Sequence, residues 1–294
     1  MGILKRTSLL LRFALAGIAM MVAYVLSTQV IGETNVNLTP EQVSQAGRAF
    51  IFVSLINALV LSFLIIRSPW RGLKLIGAVI LVHFGVETFM AQIETLYFNR
   101  AVQMEAAEFI GIVAAGALRA LIFAPIAVPI FGKLKQPEQS EVKLPAVGPL
   151  WDKHFVAMAA FYVVVYFMFG YFVAWQFEDT RLYYSGTTAI KPFFVHFFDL
   201  FFIEDPVILF FQLLRGALWT ALVIIILRMV RAKRWEASLA VAITFAVFIS
   251  LPLGLFPNPY MPPMVAQSHF IEVSTSMLLY GGVAGWVLYP RVSQ

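Results

Sequence analysis

The sequence predicts an all-α protein, a polytopic bundle of about eight transmembrane helices forming a single domain over residues 1–294. Three observations carry that expectation. The first is composition: 61% of the residues are hydrophobic, 13% are charged and mean hydropathy is +0.84, whereas a soluble domain holds about 25% charged residues. The second is a series of apolar runs, each of the ~20 residues needed to cross a bilayer core. The third is that every second connecting loop is basic, as an even number of spans with the amino terminus inside requires.

The elements follow in order. The first span, 8–31, comes after Lys5 and Arg6 and is too long for the core of a cleavable signal peptide. The second, 49–66, is preceded by Thr39-Pro40-Glu41, an N-cap with proline at the first helical position, so its helix is expected to begin before the membrane. The third covers 73–98. The fourth covers 107–130, with Pro125 and Pro129 predicting a kink near its end. The fifth covers 155–177. An aromatic connection leads to the sixth, 207–230, for which Asp205-Pro206 reads as cap and first residue. The seventh covers 237–256, and a proline-rich turn, 257–263, leads to the eighth, 265–289. No internal repeat is visible.

One set of loops holds Lys5 and Arg6, Arg67 and Arg71, Lys133, Lys143 and Lys153, Arg231 and Arg234, and Arg291; the alternate set holds Glu33 and Glu41, Glu105 and Glu108, Glu178 and Asp179, and Glu204 and Asp205. Both termini are therefore expected on the cytoplasmic side of an inner or plasma membrane. The net charge of +5 would suit nucleic acid, but the basic residues sit in short clusters at span ends, so the expected partner is the lipid bilayer and not nucleic acid. No cysteine is present, which excludes disulfides, thiolate metal sites and cysteine nucleophiles. Nothing in the sequence sets an oligomeric state.

Function is sought among polar groups placed where lipid should be, since a charge at the bilayer centre costs at least ~2.5–3.5 kcal/mol. The third span carries His83, Glu87 and Glu94, with separations of four and seven that put them on one face of a regular helix. The eighth carries His269 and Glu272, three apart; the sixth carries Gln212 and Arg215, the fourth Arg119 and the second Asn57. At a rise of ~1.5 Å per residue, Glu94, Gln212, Arg215, His269 and Glu272 share the outer third, while His83, Glu87 and Arg119 share mid-depth. One polar site opening outward would account for all of them.

Carboxylates and imidazoles without sulfur suit a hard or borderline divalent metal. Glu94, His269 and Glu272 are the expected ligands, leaving a position for water as in hydrolytic zinc centres. Adding His83 and Glu87 would permit a two-metal iron or manganese site. Glu87 is otherwise the candidate general base, and Arg215 the group that binds an anion or a developing negative charge. The bland alternative is a pair of structural ion pairs, Glu87 with Arg119 and Glu94 or Glu272 with Arg215. The expectation is an intramembrane enzyme, a metal-dependent hydrolase if the ligands assemble, acting on a lipid-like or amphiphilic substrate. The alternatives are an ion- or proton-coupled transporter or channel using the same residues and a non-catalytic subunit of a membrane complex. Few polar residues lie in the cytoplasmic halves of the spans, which favours a one-sided site.

The segment 191–204 is too short to span and places phenylalanines at helical spacing, so it reads as an interfacial helix on the outer side, an anchor or a lid. His154 and His196 are expected at the interface and not as ligands. No His-Glu-x-x-His motif, Gly-x-Ser-x-Gly motif or nucleotide-binding loop occurs.

Overall fold

The computed structural model describes residues 8–30, 39–135, 153–258 and 260–289. Lys5, Arg6, Glu33, Lys143, Asp152, Pro259 and Arg291 lie outside the described residues. Among the described residues the chain is helical throughout, with no strands and eight helices of transmembrane length and composition. These are α1 (Leu9–Thr28), α2 (Pro40–Arg67), α3 (Gly72–Tyr97), α4 (Ala106–Ile130) and α5 (Lys153–Phe172). Two short helices follow, α6 (Glu178–Ser185) and α7 (Phe193–Asp199), and then α8 (Ile208–Met229), α9 (Arg234–Leu255) and α10 (Pro263–Leu288).

Helix starts are written in local chemistry. Ser8 accepts from the Leu11 amide at the head of α1. Thr39 and Gln42 form a reciprocal capping box at the head of α2, with Pro40 at its first position, so that this helix begins nine residues before the apolar run. Pro263 opens α10 in the same manner. Two starts differ from expectation. Helix α8 begins at Ile208, after Asp205-Pro206, because the Asp205 carboxylate is drawn away to the Tyr97 hydroxyl at 2.8 and 2.7 Å. Helix α6 was not foreseen, since its sequence EDTRLYYS carries no apolar stripe.

Lipid supplies no hydrophobic force between helices, so they associate where small residues let backbones approach. Helix α10 lays Gly281 and Gly285 on Ala242 and Ser238 of α9. Helix α8 lays Gly216 on the Ala159 carbonyl of α5, and α4 lays Gly116 on Thr88 of α3. Helix α3 lies innermost: 61% of its span is buried, against 50% for α2, α8 and α9 and 33% for α1, α4 and α5, which makes α3 the helix where polar groups are best shielded from lipid. The outward side chains are apolar, with Leu10, Leu73, Phe194 and Phe210 all more than three-quarters exposed, as a lipid-facing surface requires. The chain is thus a membrane-embedded helical protein with buried charges.

Helix α7 divides its phenylalanines between two faces. Phe193 and Phe197 pack on Tyr171 of α5, and Phe201 in the following π turn packs on Phe167. Phe194, Phe198 and Phe202 remain exposed. The half of the bundle nearest the basic loops is filled by Leu61, Leu64, Leu75, Val79, Phe123 and Phe245, each fully buried.

Candidate functional site

The buried charges gather in two sets, and α3 supplies both. The deeper set centres on Glu87. Its Oε1 accepts from the Tyr24 hydroxyl of α1, in a short contact, and from Asn57 Nδ2 of α2 at 3.0 Å. Its Oε2 lies 3.1 Å from Arg119 Nη1 of α4 and 2.8 Å from His83 Nε2 on its own helix. The His83 contact is off the line of an N–H···O bond, and neither ring nitrogen has a hydrogen-bond partner among the described residues. The Arg119 guanidinium also stacks over the Tyr24 ring at 3.7 Å. Four helices thus meet on one carboxylate. A buried ion pair of this kind needs further hydrogen bonds; Tyr24 and Asn57 supply them to Glu87 Oε1, while Arg119 Nε has no partner among the described residues.

The second set centres on Arg215, which is 2% exposed. Nη1 and Nη2 form a fork with the two oxygens of Glu94, at 2.7 and 2.6 Å, and add Gln212 Oε1 at 3.0 Å. Such bidentate pairs are the strongest and most directional ion pairs. Beside them His269 stands between two groups. Its Nε2 is 3.0 Å from the Tyr184 hydroxyl of α6, and its Nδ1 is 3.6 Å from Glu272 Oε2. Glu272 is 7% exposed, and among the described residues no hydrogen bond or other ion pair reaches its carboxylate.

The expected single face of α3 is not kept. A π-helical turn, Gly85–Phe89, contains Glu87 and closes before the regular helix that carries Glu94 resumes at Met90. Such a turn adds one residue to the helical count, and one residue at 3.6 per turn is a rotation of ~100°. Glu87 consequently points toward α1, α2 and α4, while Glu94 points toward α8. The depth matching does hold: Arg119 meets Glu87, and Arg215 meets Glu94.

Both sets border one cavity of about 1410 Å³. Glu87, Arg119 and Tyr24 form its deepest wall; Glu94, Tyr166, Tyr184, His269 and Glu272 line it higher up; and Arg100, Lys191 and Glu204 stand at the mouth. Arg215 and His83 are behind the wall and not part of it. Lys191, at the mouth, ties α7 to its approach loop by reaching Asp199 and Glu204, both at 2.8 Å, and these bonds raise its pKa. His196 lines the cavity against Tyr171 and Trp175, and burial lowers its pKa, so it stands neutral.

The chain matches no family model, no curated protein and no solved structure. Its site has to be read from the side chains alone.

The four expected metal ligands, Glu94, His269, Glu272 and His83, are not brought to a common point. His83 belongs to the Glu87 set, and both Glu94 oxygens are taken by Arg215. Among the described residues no group of three or more His, Asp or Glu is arranged to hold a metal ion. Sequence reasoning missed Tyr24 and Tyr184. Tyr24 sits in a span with no acid or histidine to mark it as part of a site, and Tyr184 sits in α6, outside any apolar run. Burial, followed by the nearby Glu94 charge, raises the Tyr184 pKa, which keeps its hydroxyl protonated and able to donate to His269.

Proposed function

We propose that this chain is an intramembrane enzyme that admits a lipid-like amphiphile to the cavity and transfers a proton through His269. The observation that carries this reading is the Tyr184–His269–Glu272 series on the wall of a large, mostly apolar cavity. With Tyr184 donating to Nε2, the imidazole proton sits on Nδ1 and faces Glu272, the arrangement in which a carboxylate orients a histidine base. At 3.6 Å this is not yet a hydrogen bond; catalytic contacts of this kind commonly tighten when substrate binds. A substrate hydroxyl or a water taking the place of the Tyr184 hydroxyl would pass its proton to Nε2, and Glu272 would balance the imidazolium. Hydrolysis or group transfer on the polar head of the amphiphile is the reaction class this supports.

In this reading Glu87–Arg119 and Glu94–Arg215 hold the cavity open between helices. A metal-dependent version would require Glu94 to leave Arg215. The packed apolar half below Glu87 favours a one-sided site, facing the side that the loop charges assign to the outside, over a carrier that must reach both faces.

The test is incubation of the purified protein with a polar lipid extract in mixed micelles, read by mass spectrometry. The expected outcome is loss of one lipid species and gain of its product, slowed about a hundredfold or more in His269→Ala. A lipid pool that the parent protein leaves unchanged overturns the catalytic reading.

A further inference from the structure

We infer that the cavity receives the cationic, ammonium-bearing end of its amphiphile, and that Glu272 is the counter-charge which that group meets. The inference rests on the reading of the cavity as the working site and adds the chemical class of the ligand.

The argument is one of charge. Three acids on the cavity wall have a lysine or arginine partner, and Asp205 and Glu272 do not. Of these two, Asp205 is half-buried and hydrogen-bonded on both oxygens, whereas Glu272 is buried with no hydrogen bond to its carboxylate among the described residues. Glu87 has Arg119, Glu94 has Arg215 and Glu204 has Lys191. Asp205 receives the Tyr97 hydroxyl on both oxygens. Glu272 has only His269, at 3.6 Å, beyond hydrogen-bond distance. Arg215 is near, but both its terminal nitrogens are on Glu94. The remaining cation on the wall, Arg100, is exposed at the mouth. A carboxylate 7% exposed without a countercharge is costly, and a ligand cation removes that cost.

One further feature fits an ammonium group. The wall around His269 is aromatic: Tyr184 packs on His269, Phe98 and Trp175, and all four line the cavity. Ring faces attract a desolvated cation. In this arrangement Glu272 Oε2 faces His269 while Oε1 is free for the ammonium group.

The experiment titrates octylammonium, octanol and octanoate into the detergent-purified protein at neutral pH, following binding calorimetrically. Octylammonium is expected to saturate one site, with octanol and octanoate weaker by at least about thirtyfold, the factor for removing one partner of a buried charge pair. Glu272→Gln should reduce octylammonium to the level of octanol, whereas Glu41→Gln, at an exposed acid of α2 remote from the cavity, should leave it within about threefold. Octanol or octanoate binding as tightly as octylammonium to the parent protein overturns the inference without recourse to any variant. So does parent-like octylammonium affinity in Glu272→Gln. Selective ammonium binding with no lipid turnover would defeat the catalytic reading alone; turnover without ammonium selectivity would defeat this inference alone.

Discussion

Glu87 shows how a charge is retained inside the membrane. Each of its partners comes from a different place in the chain: Tyr24 from α1, Asn57 from α2, His83 one turn back and Arg119 from α4. Removing Arg119 leaves the carboxylate buried with neutral donors only, so Arg119→Met should lower unfolding free energy in micelles by about 3–5 kcal/mol. The double change Arg119→Met/Glu87→Met should recover most of that loss, because the stranded charge goes with its partner. Chemical unfolding of the three variants checks both, and a double variant as weak as the single one would reject the ion pair as the reason. The pairing was legible in the sequence, since depth along a helix follows from residue counting. Tyr24 was not, because a tyrosine in an apolar span gives no sign of which way its hydroxyl points. The separation of the metal candidates was hidden for a related reason: counting gives depth, but the side-chain fork that commits Glu94 to Arg215 exists only in three dimensions.

At the scale of elements, the contacts between helices are set by glycine. A Cβ at Gly216 would lie 2.3 Å from the Ala159 carbonyl oxygen, and a backbone atom of a packed helix has nowhere to go. Gly216→Ala should therefore push α8 from α5 and cost about 1–3 kcal/mol, as overpacking does. Gly77→Ala, with nothing within 4 Å of the added carbon, should be neutral or gain up to about 1 kcal/mol by restricting the unfolded chain. Thermal unfolding of the two variants side by side checks the contrast. The spans themselves were legible, because hydropathy summed over ~20 residues averages out local accident. The connections were less so: α6 has no apolar stripe and no side-chain N-cap, only Gly186 closing its end, and the Tyr97 hydroxyl that engages Asp205 ahead of α8 comes from α3, which no local signal in 205–208 announces.

The whole molecule divides across its thickness. One half is a dry, close-packed core bordered by basic loops; the other opens a cavity whose walls carry almost every buried acid. A proton-transfer site of this form does not call for a metal, so extraction with a chelator should leave lipid turnover and the unfolding midpoint at their original values. A stoichiometric zinc, iron or manganese that leaves with the chelator, and takes turnover with it, would restore the metal-dependent hydrolase. Loop charge predicts that the α6–α7 connection faces the side opposite the basic loops, and labelling it from either side of a sealed vesicle tests that orientation directly.

The extra residue in the π turn of α3 has a consequence for descent. Beyond Phe89 every side chain of α3 is rotated by ~100° relative to an unbroken helix. Loss of a single residue there would turn Glu94 away from Arg215 while leaving composition and hydropathy nearly unchanged. By that geometry, descent is expected to hold the spacing between the two glutamates, which the two arginines answer, more strictly than it holds the apolar residues between them.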